Sequence, residues 1–196
     1  MSNPAKINFK VTQGGTFKQT LRWESSTKVY APITGISNTA PVVITAPSHG
    51  APEGWRVKIT NVGGMKELNS VDKYHTATGT TTNTVTINAI NAISYTPYIS
   101  GGILEYNKPI DLTGVFARMQ IRLKVDSPTH ILELTTTNGG LLVDSALGTI
   151  TMLISNTSTA AFTFISAVYG LELVFVNGEV IPFASGNMTL VREVTR

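Results

Sequence analysis

The sequence predicts an all-β protein: an Ig-like antiparallel β-sandwich interrupted by an inserted small β-barrel or sandwich domain. Three observations carry this. Nearly every apolar stretch alternates with period two, the pattern of half-buried strands. The breaks between them hold Gly, Asn and Pro in turn-forming combinations at spacings of about 8–12 residues. The phrase "API" at 31–33 is echoed by "KPI" at 108–110, and the two bracket a stretch with its own run of short strands.

The elements follow in order. "TFKQTLRWESS" (16–26) reads as one strand, with Phe17, Leu21 and Trp23 on one face. The chain then turns into the middle segment. "PVVITAPSHG" is a strand ending in a Pro/Gly turn. "GWRVKITNVGGM" places Trp55, Val57 and Ile59 on one face and stops at Gly63-Gly64. "DKYHTATGTTTNTVTINAI" is two short strands about a Gly/Thr turn, and "ISGGILEYN" closes the segment. Some five strands fill it, enough for a small barrel or sandwich. A structureless loop of this length inside a compact domain is not expected. A single continuous sandwich is the alternative to an insertion. The predicted organisation is therefore a discontinuous sandwich, 1–33 with 109–196, and an inserted β domain, 34–108. Insertions are tolerated where two chain ends meet at an exposed turn.

After the insert, "VFARMQIRLK" alternates most clearly. Val115, Ala117, Met119, Ile121 and Leu123 point one way; Phe116, Arg118, Gln120, Arg122 and Lys124 point the other, onto a wet, basic face. "HILEL", "GTITMLI", "VYGLELVFV", "EVIPF" and "NMTLVREV" follow as strands. Asn177-Gly178 predicts a hairpin with a type I′ turn. Only "SNTSTAAFTF" reads as helical, with Ser155 or Asn156 as its cap.

Composition narrows function. The chain of 196 residues has no cysteine, so disulfides, thiolate metal sites and cysteine nucleophiles are excluded. Charged residues make up 14%, well below the roughly 25% of an ordinary soluble domain. Such a surface fits partial coverage by a partner, or a β protein faced with Thr and Ser. The net charge is +3, and its cations (Arg22, Arg56, Arg118, Arg122, Arg196) are scattered, so no nucleic-acid partner is expected. No apolar run is long enough to span a membrane. "MSNPAKINFK" lacks an apolar signal core and predicts no export signal.

No reaction is spelled out, and no catalytic, cofactor-binding or metal-ligating residue is assigned. His49, His75 and His130 show no metal-ligand spacing and read as turn or surface histidines. Ser48, His49 and Asp72 contain the parts of a triad, but adjacent residues do not present a nucleophile to its base. The Gly-Gly pairs precede no helix, so they do not form a phosphate cradle. Asp111 reads as a turn former before Leu-Thr-Gly. Glu133 and Glu172 sit mid-strand in similar settings and read as outward-facing residues rather than a glycosidase pair. Trp23, Trp55, Tyr95 and Tyr98 read as packing aromatics, with a sugar platform as the alternative.

With the insert set aside, the remaining chain resembles a family of small tailed-bacteriophage virion proteins, with some likeness to the N-terminal domain of phage baseplate upper proteins. The likeness lies in the ordered set "VTQGGTFKQTLRWE", "PIDLTGVFARMQIR", "ILELTTTNGGL", "GTITMLIS", "YGLELVF" and "VREVTR". The insert, with "VVITAPSHG", "GWRVKITNVGGMKELN" and "YTPYISGGIL", looks like a second phage module, of a kind labelled similar to a half-domain of ubiquitin-activating enzymes. That likeness concerns fold; no ubiquitin chemistry follows from it. The resemblance implies a non-enzymatic virion component, made in the bacterial cytoplasm and built into a symmetric multimer with other virion proteins. It implies no cofactor, nucleic-acid partner or membrane. The neck or collar at the head–tail junction is the expected place. The baseplate, tail tip or capsid surface, with a receptor- or glycan-binding role, is the alternative.

Overall fold

The computed structural model describes residues 3–70 and 72–193. It is almost entirely β, in several mainly antiparallel sheets. The chain divides into two compact units, one of residues 1–23 with 110–196 and one of residues 24–109.

Unit 1 begins with β1 (Ala5–Lys6), β2 (Phe9–Thr12) and β3 (Phe17–Arg22). The chain leaves for unit 2, described below, through β4 to β11. It returns through β12 (Phe116–Arg122), β13 (Leu132–Thr135), β14 (Leu141–Asp144), β15 (Thr149–Ile154), β16 (Ser166–Val174) and β17 (Val180–Val191). A six-stranded sheet runs β17-β16-β12-β13, with β1 and β2 both on the outer side of β17. Those two short strands pair with β17 in parallel, a departure from the purely antiparallel sandwich the sequence predicts. The second sheet is β14-β15-β3.

Period-two alternation decides what lies between the sheets. One rung of the larger sheet reads Ala184, Leu171, Met119 and Leu134, all buried. It joins one core with Leu141, Ile150, Met152 and Ile154 of the smaller sheet. Leu123, expected on this inner face, lies beyond the end of β12 and is exposed. One helical turn, α1 (Asn156–Ala160), stands between β15 and β16. Ser155 caps it as expected, its Oγ accepting from the Ser158 N–H at 3.1 Å.

The β16–β17 hairpin forms where expected, but with a different turn. Gly178 donates its N–H to Phe175 O, and Phe175 donates to Glu179 O. Only Gly178 takes a positive φ, 85°. This is a type I turn followed by a glycine bulge rather than type I′, which requires positive φ at both central residues.

Unit 2 holds β4 (Glu24–Pro32), β5 (Gly35–Ile36), β6 (Val42–Thr45), β7 (Arg56–Gly63), β8 (His75–Thr76), β9 (Gly79–Thr80), β10 (Thr84–Ile87) and β11 (Ser100–Pro109). Two four-stranded sheets, β4-β11-β7-β8 and β5-β6-β10-β9, share a core of Val42, Ile44, Trp55, Ile59, Val85, Ile87 and Leu104.

The observed boundaries differ from the expected 33 and 109. Residues 24–33 pair with β11, from Glu24 opposite Pro109 to Pro32 opposite Ile103. What reads as one strand, 16–26, is two: β3 in one unit and β4 in the other, divided at Trp23. At that point Ile110 donates its N–H to Trp23 O at 3.1 Å, so the two ends of the unit 1 chain touch.

Candidate functional site

A group of charged and polar residues of unit 1, Lys6, Arg118, Gln120, Arg122, Glu133 and Glu172, shares the outer face of the six-stranded sheet. Even-numbered positions of β12 point outward because their neighbours Ala117, Met119 and Ile121 are buried. Strand register then sets their partners. Arg118 lies opposite Glu172 of β16, and Gln120 lies opposite both Gly170 of β16 and Glu133 of β13. One rung therefore reads Lys6, Ser185, Gly170, Gln120, Glu133 across five strands.

The side chains along this face are bonded to one another. Arg118 Nε donates to Glu172 Oε2 at 2.9 Å, and Gln120 Nε2 donates to Glu133 Oε1 at 2.7 Å. Arg122 Nη2 donates to Gln120 Oε1 at 2.7 Å, and its Nη1 donates to Ser127 O. Lys6 Nζ donates to Ser185 Oγ at 2.9 Å. At the centre Gly170 has no side chain, and a Cβ built there meets nothing within 4 Å. The result is a shallow depression of about 450 Å³ floored by Gly170 and walled by Arg118, Arg122, Glu133 and Glu172. A glycine inside a strand often marks a place where another group comes close.

Glu133 and Glu172 thus do share one face, on strands to either side of β12 and about 12 Å apart at Cα from strand spacing. Each is engaged by its own β12 partner. Among the described residues, no hydroxyl or carboxylate of this face is bonded to a histidine. The arrangement suits recognition of a polar surface by mixed donors and acceptors. The exposed Arg118–Glu172 pair itself contributes only about 0–1 kcal/mol to stability.

The histidines are separate. His49, expected in a turn or on the surface, is in a turn but buried, 2% exposed. Its Nδ1 accepts from the Ala51 N–H at 2.9 Å, which assigns the ring proton to Nε2, 3.2 Å from Thr84 O. The imidazole is thereby committed to backbone partners, and the structure does not join it to Ser48 or Asp72 as a triad. His75 lies on β8, half-buried; burial first and nearby Lys73 second hold its pKa below the usual histidine value. His130 is exposed before β13. No group of three or more His, Asp or Glu suited to a metal occurs among the described residues. No helix among them is long and apolar enough to cross a membrane. Asp111 accepts from the N–H and Oγ1 of Thr113, and these bonds hold its carboxyl below the usual range.

The four aromatics singled out from the sequence are packed. Trp55 is 1% exposed, and its Nε1 donates to Asn107 O at 2.7 Å. Trp23 packs edge-on against Phe175 and at a tilt against Phe183. Tyr95 and Tyr98 pack on the unit 2 core. The exposed aromatic surface lies elsewhere, on the outer side of β4-β11-β7-β8. Tyr30 is 60% exposed there. Arg56 sits 4.7 Å over the Tyr74 ring and donates to Glu24. Lys28 pairs with the buried Glu105 at 2.5 Å, which raises the pKa of the lysine. Sequence reading misses this cluster because its members are far apart in the chain; only the β4–β11 register brings Tyr30 opposite Glu105. The spacing of Arg118, Gln120 and Arg122 did signal the first face.

No protein-family model matches this chain, and no curated protein matches it either.

Proposed function

We propose that the protein is a non-enzymatic structural component of a tailed bacteriophage particle, a collar protein at the head–tail junction that assembles with other virion proteins as a symmetric multimer. The observation that carries this reading is the ordered set of phage-like segments. Five of them lie on strands of unit 1: "FKQTLR" on β3, "FARMQIR" on β12, "LELT" on β13, "TITMLI" on β15 and "YGLELV" on β16. The likeness therefore follows one compact unit. A rigid, hydrogen-bonded polar face on that unit supports docking: it is preorganised, and polar, charge-complementary faces set register and partner choice. In a ring such contacts are heterologous, one patch meeting a different patch on the next copy.

A second reading has its own observation. The Tyr30–Tyr74–Arg56 cluster of unit 2 offers one exposed and one half-buried ring beside charged groups, as glycan- or receptor-binding surfaces do. It favours a baseplate, tail-tip or capsid-surface protein. Antibody–gold labelling of intact particles, imaged by electron microscopy, separates the two. Gold at the head–tail junction is the expected result. Gold at the tail end or on the head favours the second reading, and absence of the chain from washed particles by peptide mapping defeats both.

A further inference from the structure

The two sheets of unit 1 treat their free edges differently. On β13 the backbone groups that point away from β12 belong to Glu133 and Thr135. One group of each is taken by the same side chain: Asn138 Oδ1 accepts from the Thr135 N–H at 2.8 Å, and its Nδ2 donates to Glu133 O at 3.0 Å. The amide stands where a neighbouring strand would bond. That edge is closed.

On β3 the pattern is open. Trp23 donates its N–H to Gly148 O, which continues the β3–β15 ladder and fixes its phase. Phe17, Gln19 and Leu21 bond to β15, and the N–H and C=O of Lys18 and Thr20 point away. Among the described residues, no other strand lies beyond β3. Gln19 reaches this row with its Nε2 3.4 Å from Thr20 O. Neither N–H has a hydrogen-bond partner among the described residues, and both residues are exposed. Phe17 and Leu21, on the core side, are only half-covered for the same reason.

We propose that β3 is an acceptor edge, which takes an extended acidic segment of a partner protein as a fourth strand of the small sheet. The outward side chains of β3 are Lys18, Thr20 and Arg22, so a strand laid beside them is favoured by carboxylates at alternate positions. Apolar residues between them cover Phe17 and Leu21. A second copy of β3 fits worse. Antiparallel pairing about Thr20 sets Lys18 of each chain opposite Arg22 of the other, and directly opposed like charges destabilise a pair. Naming the partner as a virion component rests on the function proposed above; the acceptor edge does not.

The test uses the whole chain with isotope-labelled amides and a short acetylated peptide alternating valine and glutamate. In the free chain the Lys18 and Thr20 amides are expected to exchange quickly, and the peptide to slow them. A valine–lysine peptide is expected to bind about tenfold more weakly or worse. Thr20→Pro removes an N–H that bonds nothing in the sheet, and is expected to weaken binding by a similar factor. Thr20→Val also loses the hydroxyl contact to Thr151 but keeps the N–H, and is expected to bind as the parent does. Lys18→Glu is expected to shift preference toward the lysine peptide. Slow exchange of both amides in the free chain, equal binding of both peptides, or undiminished binding to Thr20→Pro overturns the proposal. Protection that grows with protein concentration alone assigns the edge to a second copy and overturns the acidic partner. Because the peptide assay needs no particle, its failure is distinct from failure of gold labelling.

Discussion

The two units solve the same problem, a two-sheet β core, with different interiors. Unit 1 fills its core with Met119, Met152, Leu171, Phe162 and Phe164, and polar groups reach inward only at a few points such as Tyr169 Oη to Ile7 O, 2.8 Å. Unit 2 threads hydrogen bonds through its core. Trp55 bonds Asn107 O, Tyr106 Oη donates to His49 O at 2.7 Å, and His49 bonds Ala51 and Thr84. Apolar packing tolerates rearrangement, whereas a buried polar group without its partner is costly. Substitutions in the smaller unit therefore act through lost partners as well as lost volume.

The most drastic way to break the comparison is to remove unit 2. A chain lacking residues 24–109, with Trp23 joined to Ile110 through one or two glycines, is expected to keep the unit 1 fold, because Ile110 already bonds Trp23 O. Circular dichroism and amide dispersion check it; an insoluble or unstructured product means the units share a folding core. Next in size, Trp55→Ala is expected to cost unit 2 about 3–5 kcal/mol. It leaves Trp23 as the sole indole, so tryptophan emission then follows unit 1 alone, and its denaturant midpoint should hardly move. His49→Ala strands the Ala51 N–H and the Thr84 carbonyl and is expected to cost about 1–3 kcal/mol, read from urea midpoints.

The pH dependences sharpen the contrast further. Burial pushes the Tyr169 hydroxyl up to about 12. An unfolded tyrosine ionises near 10, so this contribution to unit 1 stability is complete below about pH 10 and is lost as pH rises toward 12. Tyr169→Phe should flatten that part of the alkaline profile. The smallest effect belongs to His75, whose depressed pKa makes unit 2 lose a little stability as pH falls below about 6.5. His75→Gln should abolish that slope while leaving stability above pH 7 nearly unchanged.

How much was legible follows from the range of each interaction. Local rules worked: the alternation of 115–121, the Ser155 cap and the existence of the hairpin at Asn177 depend on neighbours in sequence. The turn type failed because Asn-Gly is compatible with more than one hairpin loop, and pairing of Phe175 with Glu179 selected the bulged form. The unit boundary was missed because 16–26 alternates without a break, and only pairing with 100–109 reveals that its second half belongs elsewhere. Alternation alone turns Glu133 and Glu172 outward; that Gln120 and Arg118 hold them is a consequence of register, which composition does not show. Glu24 and Arg56 carried no local signal at all.

The crossing at Trp23 and Ile110 has a consequence of its own. A Cβ on Gly148 would lie 2.8 Å from Ile110 O and 3.0 Å from Trp23 O, so a bare backbone there lets the outgoing and returning chains pass side by side. A side chain at position 148 would therefore have to push the two chain ends of unit 1 apart.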